Sequence, residues 1–178
     1  MAIGYLLDTC VLSETSRAKP DPQVIRFIQS AANLVIPTAA IVEFQVGITQ
    51  LSSRDPARAV RLTNWYQSVI ASGLPILETG KEIAEVWGSL SADPRLRNLL
   101  FTSPEAKKIR FGQDLHIAAA ALVSQMPVAT FNVKDFVLIH TCYPLPGIYN
   151  PKDDTWYSET VASLVVAEDS PRKVEKAS

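Results

Sequence analysis

Four acidic residues lie beside apolar segments of the chain: Asp8, Glu43, Asp114 and Asp135. Asp8 follows a short apolar run, Glu43 interrupts one, Asp114 precedes a long one and Asp135 follows another. A carboxylate near a protein core costs several kcal/mol unless it is paired with a cation or bound to a metal. No Lys or Arg is adjacent to the first three acids. A shared divalent cation, Mg²⁺ or Mn²⁺, would satisfy the whole set, because hard cations prefer oxygen ligands.

Each of these acids also has a purely structural interpretation. Asp8 fits a turn that begins a helix, and Glu43 fits the edge of an apolar helix face. Asp114 fits the first turn of a helix, where the helix dipole favours a negative charge. Asp135 fits the third position of a helix capped by Asn132. Four such coincidences are a less economical explanation than one metal site, but the residues alone leave both interpretations open.

The sequence contains none of the other common catalytic arrangements. It has no Gly-rich phosphate-binding loop, no Cys/His zinc spacing and no Ser-centred nucleophile motif. His116 lies two residues after Asp114, about 200° around a helix, so we expect it on the surface or in a second layer, pointing away from that carboxylate. We expect His140 to be solvated. Cys10 and Cys142 make no disulfide framework, and we expect both to be reduced, small apolar residues.

Short apolar runs alternate with amphipathic segments along the chain. This alternation predicts parallel βαβ units and an α/β fold with three layers, α/β/α. Predicted strands cover 5–7, 34–36, 74–77, 128–130 and, at an edge, 137–139; predicted helices cover 21–32, 38–52, 56–70, 80–91, 104–111 and 113–125. Right-handed crossovers would bring all four acids to the carboxyl edge of the sheet, where ligands bind. Gly47, one turn after Glu43, would let a substrate come close.

The length and composition indicate one globular domain of 178 residues. No apolar run approaches the roughly 20 residues of a membrane helix, and no signal peptide is recognisable, so we expect a cytoplasmic protein. The composition changes after residue 150. We therefore divide the chain into a domain of residues 1–150 and a C-terminal extension of residues 151–178. The extension is expected to dock one element near 156–167 and to be disordered beyond it.

The net charge of −1 conceals a possible basic surface. Residues 1–150 hold 13 Lys and Arg against 12 Asp and Glu, and four of those acids are assigned to the metal site. Part of the positive charge is clustered just before Asp114, in Arg95, Arg97, Lys107, Lys108 and Arg110. This cluster is a candidate for binding RNA phosphates, and the alternative is an ordinary solvated loop and helix face.

Four stretches carry a resemblance to a known family, in the same order and spacing: 5–14, 42–47, 112–121 and 129–136. They resemble the PIN-domain nucleases, most closely the VapC-type toxins of toxin–antitoxin pairs, over roughly residues 4–150. The resemblance implies a sheet of about five parallel strands flanked by helices. It also implies an Mg²⁺- or Mn²⁺-dependent endoribonuclease, a hydrolase that cleaves RNA phosphodiester bonds.

The same resemblance implies the roles of the site residues and the partners. Asp8 and Asp114 would be the principal metal ligands, and Glu43 and Asp135 would complete the catalytic pocket. Supporting positions near the metal would belong to Thr130 and Asn132. The expected partners are RNA, a second copy of the chain in a homodimer, and a cognate antitoxin whose C-terminal arm crosses the site. The RNA target and the number of metal ions are left open.

Two departures from the family pattern bear on function. The family usually has Asn at the position of Cys10 and Arg at the position of Phe131, and losing that Arg would change the grip on substrate. One alternative function is an RNA-binding or antitoxin-titrating PIN module with little catalysis, which the intact set of four acids disfavours. Another is phosphotransfer through an aspartyl nucleophile at Asp8. Haloacid-dehalogenase-like enzymes, which use such a nucleophile, need a second Asp two residues later, where this chain has Cys10, so this alternative is disfavoured.

Overall fold

The computed structural model describes residues 4–100 and 112–158, which form six strands and eight α-helices. The strands are β1 (Tyr5–Leu7), β2 (Leu34–Pro37), β3 (Ile76–Leu77), β4 (Val128–Ala129), β5 (Ile148–Asn150) and β6 (Thr155–Ser158). The helices are α1 (Thr9–Glu14), α2 (Pro22–Ser30), α3 (Thr38–Ser52), α4 (Pro56–Ala71), α5 (Lys81–Ala92), α6 (Arg97–Leu100), α7 (Gln113–Ser124) and α8 (Val133–Cys142), with a 3₁₀ turn at Pro94–Leu96. The predicted helix 104–111 lies outside the described residues.

One twisted sheet organises the fold, with the strand order β3-β2-β1-β4-β5-β6. The first five strands in this order are mutually parallel, and β6 is antiparallel to β5. The predicted α/β architecture with about five parallel strands is therefore confirmed. In the centre of the sheet, Leu7 of β1 is in register with Ala129 of β4. The chain segments that follow these two strands consequently leave the same edge of the sheet side by side.

Apolar cores cover both faces of the sheet. Leu6, Val128 and Ile148 belong to one core, whereas the next residue of each strand belongs to the other. This split follows from the period of two in a strand, and it explains why the strands are apolar throughout. Helices α5, α7 and α8 supply the first core, and α1 to α4 supply most of the second, which gives the three predicted layers.

The predicted edge strand at 137–139 is wrong. These residues lie inside helix α8, and the strand beside β4 is β5, Ile148–Asn150. A run of three apolar residues does not distinguish a strand from a helix turn. On the helix, Phe136 and Ile139 are buried while Leu138 is 36% exposed, a helical pattern of burial. His140 also lies on α8, half-buried, and its Nδ1 accepts a hydrogen bond of 3.0 Å from the backbone N–H of Leu145.

The first residues of the predicted extension join the sheet. Trp156 of β6 packs on Tyr149 and Tyr5 with ring centroids 5.1 and 5.8 Å apart, next to Phe27. Residues 159–178 lie outside the described part of the chain, so a separate extension remains a prediction. In residues 4–100 and 112–158, no helix has the length and apolar character needed to cross a membrane.

Candidate active site

Asp8 lies at the carboxyl end of β1 and only 4% of it is exposed. It occupies the position before helix α1, but its side chain makes no capping hydrogen bond. Its Oδ2 instead accepts hydrogen bonds from Thr130 Oγ1 at 2.5 Å and from Cys10 Sγ at 3.0 Å. Burial raises the pKa of Asp8, the two hydrogen bonds oppose that shift, and the charge of Glu43 adds to it. The Asp8 side chain therefore does not act as a helix cap, and its carboxylate is oriented by Thr130 and Cys10 instead.

Asp114 lies in the first turn of α7, which begins after Gly112. Gly112 has φ +64°, and a Cβ there would come within 2.9 Å of Leu100 Cδ2, so this turn requires glycine. The pKa of Asp114 is raised to about 7, first by burial and then by the charges of Asp8, Asp135 and Glu43. The charges of the other three predicted acids therefore all act on Asp114, although the four residues come from four separate elements.

Asn132 connects two of the acids. Its side-chain Nδ2 donates hydrogen bonds to Asp114 Oδ2 at 3.1 Å and to Asp135 Oδ2 at 2.9 Å. Asn132 precedes α8 at the N-cap position, yet its side chain makes no capping bond. Its backbone N–H donates to Thr130 Oγ1 at 2.9 Å. The segment after β4 thus links Asp8, through Thr130, to Asp114 and Asp135.

The donor set fits a hard divalent cation. The charged groups that act on Asp114 are the carboxylates of Asp8, Asp135 and Glu43, and their negative charge adds to the effect of burial in raising its pKa. Within residues 4–100 and 112–158, no three His, Cys, Asp or Glu side chains stand close enough together to enclose an ion. Mg²⁺ does not need such a cage, because it usually binds one or two carboxylates and keeps several waters.

Cys10 is part of the Asp8 network, which sequence reasoning missed. Its Sγ donates to Asp8 and accepts from the backbone N–H of Phe131 at 3.2 Å. Burial, followed by the charge of Asp8, raises the pKa of the thiol well above its usual value. The side chain therefore stays a protonated hydrogen-bond donor. Both cysteines are free, but Cys10 is a hydrogen-bonding partner of Asp8 and not the small apolar residue that was expected.

Lys152 is a second residue that the sequence did not single out. Its Nζ lies 4.1 Å from the centre of the Phe131 ring and 3.6 Å from Glu14 Oε2. Lys152 comes from the turn between β5 and β6, more than twenty residues from Phe131 in the chain. A cation consequently stands next to Phe131, the position where the resemblance leads one to expect an Arg.

His116 takes no part in the acidic site. It is buried and stacks on Trp87 with ring centroids 4.1 Å apart, and Nε2 lies 2.7 Å from Thr79 Oγ1. Burial lowers its pKa, which favours the neutral imidazole. The ring of His116 thus packs against α5, and of the two positions expected for it the surface one is wrong.

The predicted RNA-binding cluster is only partly described. Arg95 Nη2 lies 2.6 Å from Asp93 Oδ2, and its guanidinium lies 5.8 Å from the centre of the Tyr143 ring. Tyr143 follows the C-terminal end of α8, whereas Asp135 lies at the N-terminal end. A helix of ten residues is about 15 Å long, so the neutralised Arg95 is remote from the acids. Arg97 begins α6; Lys107, Lys108 and Arg110 lie outside the described residues.

Comparison with known proteins gives the family. A PIN domain model matches residues 5–137. No match was found among curated protein sequences. The fold is similar to FitAcB from Neisseria gonorrhoeae (TM-score 0.58, 22% identity, 83% of this chain and 97% of that chain). It is also similar to VapBC2 from Rickettsia felis bound to a promoter DNA fragment (0.58, 16%, 86% and 99%). A third similar structure is VapBC-5 from Mycobacterium tuberculosis, of the VapBC family of toxin–antitoxin systems (0.53, 21%, 84% and 99%). The match to residues 5–137 covers most of the chain, and the protein therefore belongs to the PIN domain family.

Proposed function

We propose that this PIN domain protein is a metal-dependent endoribonuclease and the toxin of a type II toxin–antitoxin pair. The observation that carries the proposal is the coupling of Asp8 and Asp114. These carboxylates lie at the carboxyl edge of a parallel sheet, and the negative charge of Asp8 contributes to the raised pKa of Asp114. Ligands of such sheets bind at this edge. The pocket has the oxygen donors and the excess negative charge that a divalent cation requires.

Asp8 and Asp114 are the residues that would hold Mg²⁺ or Mn²⁺. When bound, such an ion supplies a Lewis acid that lowers the pKa of water and offsets charge on the scissile phosphate. Thr130 and Cys10 donate to Asp8 Oδ2, so they favour its ionised form and fix its orientation. Asn132 does the same for Asp114. These donors prepare the carboxylates to bind a cation.

Glu43 and Asp135 are the candidates for proton transfer. In hydrolysis a water attacks phosphorus, its proton passes to a base and the leaving oxygen departs in line. Glu43 lies half-buried on α3 and is close enough to raise the pKa of both Asp8 and Asp114. Asp135 is fixed by the Asn132 amide. Either carboxylate is therefore suited to orient the water and accept its proton.

The proposed protein partners are a cognate antitoxin and a second copy of this chain, in the cytoplasm. One of the similar structures, VapBC-5, is described as a member of the VapBC family of toxin–antitoxin systems, which supports an antitoxin partner. An acidic pocket would accept a basic side chain from that partner. The alternative is an RNA-binding or antitoxin-titrating module with little catalysis. The observation that favours it is the position of the Asn132 amide, which donates hydrogen bonds to both Asp114 and Asp135 and so occupies one oxygen of each carboxylate.

A cleavage assay separates these functions. The full chain is incubated with end-labelled RNA in Mg²⁺, Mn²⁺ or EDTA, and the products are resolved by size. Cleavage that needs metal and is lost in Asp8→Asn is expected. Glu82→Gln is the matched control, because Glu82 is an exposed acid on α5. Binding of RNA without any cleavage in either metal would support the alternative, and cleavage by Asp8→Asn at the rate of the unchanged protein would remove Asp8 from the mechanism.

A further inference from the structure

An arginine-lined groove opens beside helices α3 and α4, outside the acidic site. Its volume is about 670 Å³. Four of its eleven lining residues are arginines, and no Asp or Glu of the described chain lines it. We call this surface the arginine groove, after Arg17, Arg54, Arg58 and Arg61. None of the four was singled out in the sequence, because they do not form a contiguous run of charge.

The packing of α3 against α4 explains the shape of the groove. Arg58, Arg61 and Trp65 are spaced three and four residues apart on α4, so they share one face of that helix. Gly47 and Gln50 lie on the opposite wall, on α3. A Cβ added to Gly47 would have no heavy atom within 4 Å. The missing side chain therefore leaves open space at this point of the groove.

The groove carries a concentrated positive charge. Arg54, Arg58 and Arg61 are exposed, and none of them forms an ion pair with an acid of residues 4–100 and 112–158. Arg17 is partly engaged, since its Nε lies 3.3 Å from Glu14 Oε2, but its side chain is 64% exposed. Guanidinium groups bind phosphate with paired hydrogen bonds. The groove is therefore suited to an anionic ligand with several phosphates.

The groove adjoins the acidic site. Gly47 comes four residues after Glu43 on α3, which is about 6 Å along the helix axis. Arg17 follows the short helix α1, at whose other end Asp8 lies. The four carboxylates repel a polyanion, so cations beside them must supply the attraction for a phosphate chain. The arginine groove is placed to do so.

We propose that the arginine groove binds the phosphate backbone of the RNA strand next to the bond that is cleaved. This inference rests on the proposed function and adds the residues that hold its substrate. Arg58 and Arg61 contact successive phosphates from one face of α4. Trp65 lines the groove with a half-buried indole. Its Nε1 donates to Thr15 Oγ1 at 3.0 Å and its ring packs against Phe44 with centroids 5.1 Å apart, so only the exposed part of the ring can contact a sugar or base. Basic grooves with an aromatic wall are typical of single-strand binding.

The charge pattern favours RNA over an acidic protein segment. Protein interfaces are enriched in Arg but otherwise depleted of charge at their centre, and positive groups on one partner face negative groups on the other. The arginine groove has cations of one sign only on its described lining. A uniform polyanion matches this arrangement, because every repeat of its backbone carries one negative charge.

The first test removes two charges. Arg58→Gln with Arg61→Gln is compared with Arg26→Gln with Lys81→Gln, two exposed cations outside the groove. Both pairs are placed in the full chain with Asp8→Asn, and binding of a labelled 12-nucleotide single-stranded RNA is measured in EDTA over a range of salt. The groove pair should weaken binding roughly tenfold and reduce the salt slope by about 1.4, while the control pair changes neither. An unchanged slope in the groove pair overturns the proposal.

The second test fills the groove without changing charge. Gly47→Leu places a side chain in the open space, whereas Gly47→Ala adds one carbon and leaves most of it. Neither should lower the melting temperature, because glycine is unfavourable inside a helix. RNA binding should fall several-fold for Gly47→Leu and little for Gly47→Ala. Equal binding by both variants, with both folded, contradicts the proposal.

The outcomes separate the groove from the proposed function. If the protein with its natural side chains cleaves RNA and the groove pair leaves KM unchanged, the groove assignment fails and the nuclease stands. If RNA binding falls as expected but no metal produces cleavage, the nuclease fails and the groove stands. A labelled 12-residue polyglutamate peptide tests the protein alternative. If the groove pair loses binding of this peptide but binds RNA as before, the groove is assigned to an acidic protein segment. If the groove pair changes the sedimentation coefficient of the protein but not the salt dependence of its RNA binding, the groove is assigned to a second copy of the chain.

Discussion

Thr130 Oγ1 donates a hydrogen bond to Asp8 Oδ2 at 2.5 Å, across 122 positions of the chain. Thr130 is fully buried and Asp8 is nearly so. The pairing of Leu7 with Ala129 sets these two residues side by side at the edge of the sheet. The same hydroxyl accepts a hydrogen bond from the backbone N–H of Asn132. One buried hydroxyl therefore fixes the first acid and the start of the segment that holds two others.

The first prediction removes that hydroxyl. Thr130→Val keeps the shape but leaves the buried Asp8 Oδ2 and the Asn132 N–H each without one partner. The free energy of unfolding at pH 7 should fall by roughly 1–3 kcal/mol, because buried polar groups that lose a partner are costly. Denaturant unfolding measures it. Thr130→Ser keeps the hydroxyl and should lose less. No loss for Thr130→Val, with a loss for Thr130→Ser, would mean that the packing of the methyl and not the hydrogen bond determines the stability.

The second prediction concerns pH. Without metal, the pKa of Asp114 is raised to about 7, so between pH 4 and 7 the folded protein binds more protons at this site than the unfolded chain does. By linkage, the stability of the metal-free protein should decrease as pH rises from about 4 to about 7 through this group. Asp114→Asn removes the charge and should raise the melting temperature in EDTA, more at pH 7.5 than at pH 5.5.

The control for the pH prediction is Glu82→Gln, which removes an exposed acid from the first turn of another helix, α5, and should not reproduce the gain in melting temperature. Thermal melting at the two pH values is the measurement. If Asp114→Asn melts below the unchanged protein in EDTA at pH 7.5, then Asp114 serves mainly to stabilise the first turn of α7, and the electrostatic account of the pocket is wrong.

The third prediction concerns metal binding. Mg²⁺ or Mn²⁺ should raise the melting temperature of the metal-free protein, because an ion that binds only the folded state stabilises it by mass action. At one hundred times the dissociation constant the gain is about 2.7 kcal/mol. Asp8→Asn and Asp114→Asn should gain much less, whereas Glu82→Gln should gain as much as the unchanged protein. Equal stabilisation of all four proteins would place the ion elsewhere.

The positions of the acids could be predicted from the sequence because they follow from local pattern. Asp8 ends an apolar strand, and Asp114 opens an apolar helix, so periodicity and the rule for parallel sheets place both at one edge. The strand expected at 137–139 failed because three apolar residues fit a buried helix turn equally well. The real strand, β5, is an equally short run that follows Pro146 and Gly147.

The contacts that complete the site could not be predicted, since they join distant parts of the chain. Cys10 meets the backbone of Phe131 at a separation of 121 residues, and Lys152 reaches Phe131 from the β5–β6 turn. The arginine groove was missed for a related reason. Arg17 and the arginines at 54–61 come together only when α1, α3 and α4 pack, whereas the cluster at 95–110 has more cations and directly precedes Asp114 in the chain.

The last prediction concerns the buried carboxylate of Glu14, which is 3% exposed and ties α1 to the β5–β6 turn. Its oxygens accept a hydrogen bond from the Asp21 backbone N–H at 3.1 Å, and they lie 3.3 Å from Arg17 Nε and 3.6 Å from Lys152 Nζ.

Arg17→Gln and Lys152→Gln should each cost roughly 0.5–1 kcal/mol of unfolding free energy, since both cations are partly exposed and one always remains. The double variant leaves the buried charge without a cation and should lose more than the sum, with an interaction energy of roughly 0.5–3 kcal/mol. Adding Glu14→Gln to the double variant should recover most of that excess, because the uncompensated charge is gone. Denaturant unfolding of the five proteins at pH 7 is the measurement. Losses that simply add, or no recovery with Glu14→Gln, would show that the two cations do not share the task of neutralising Glu14.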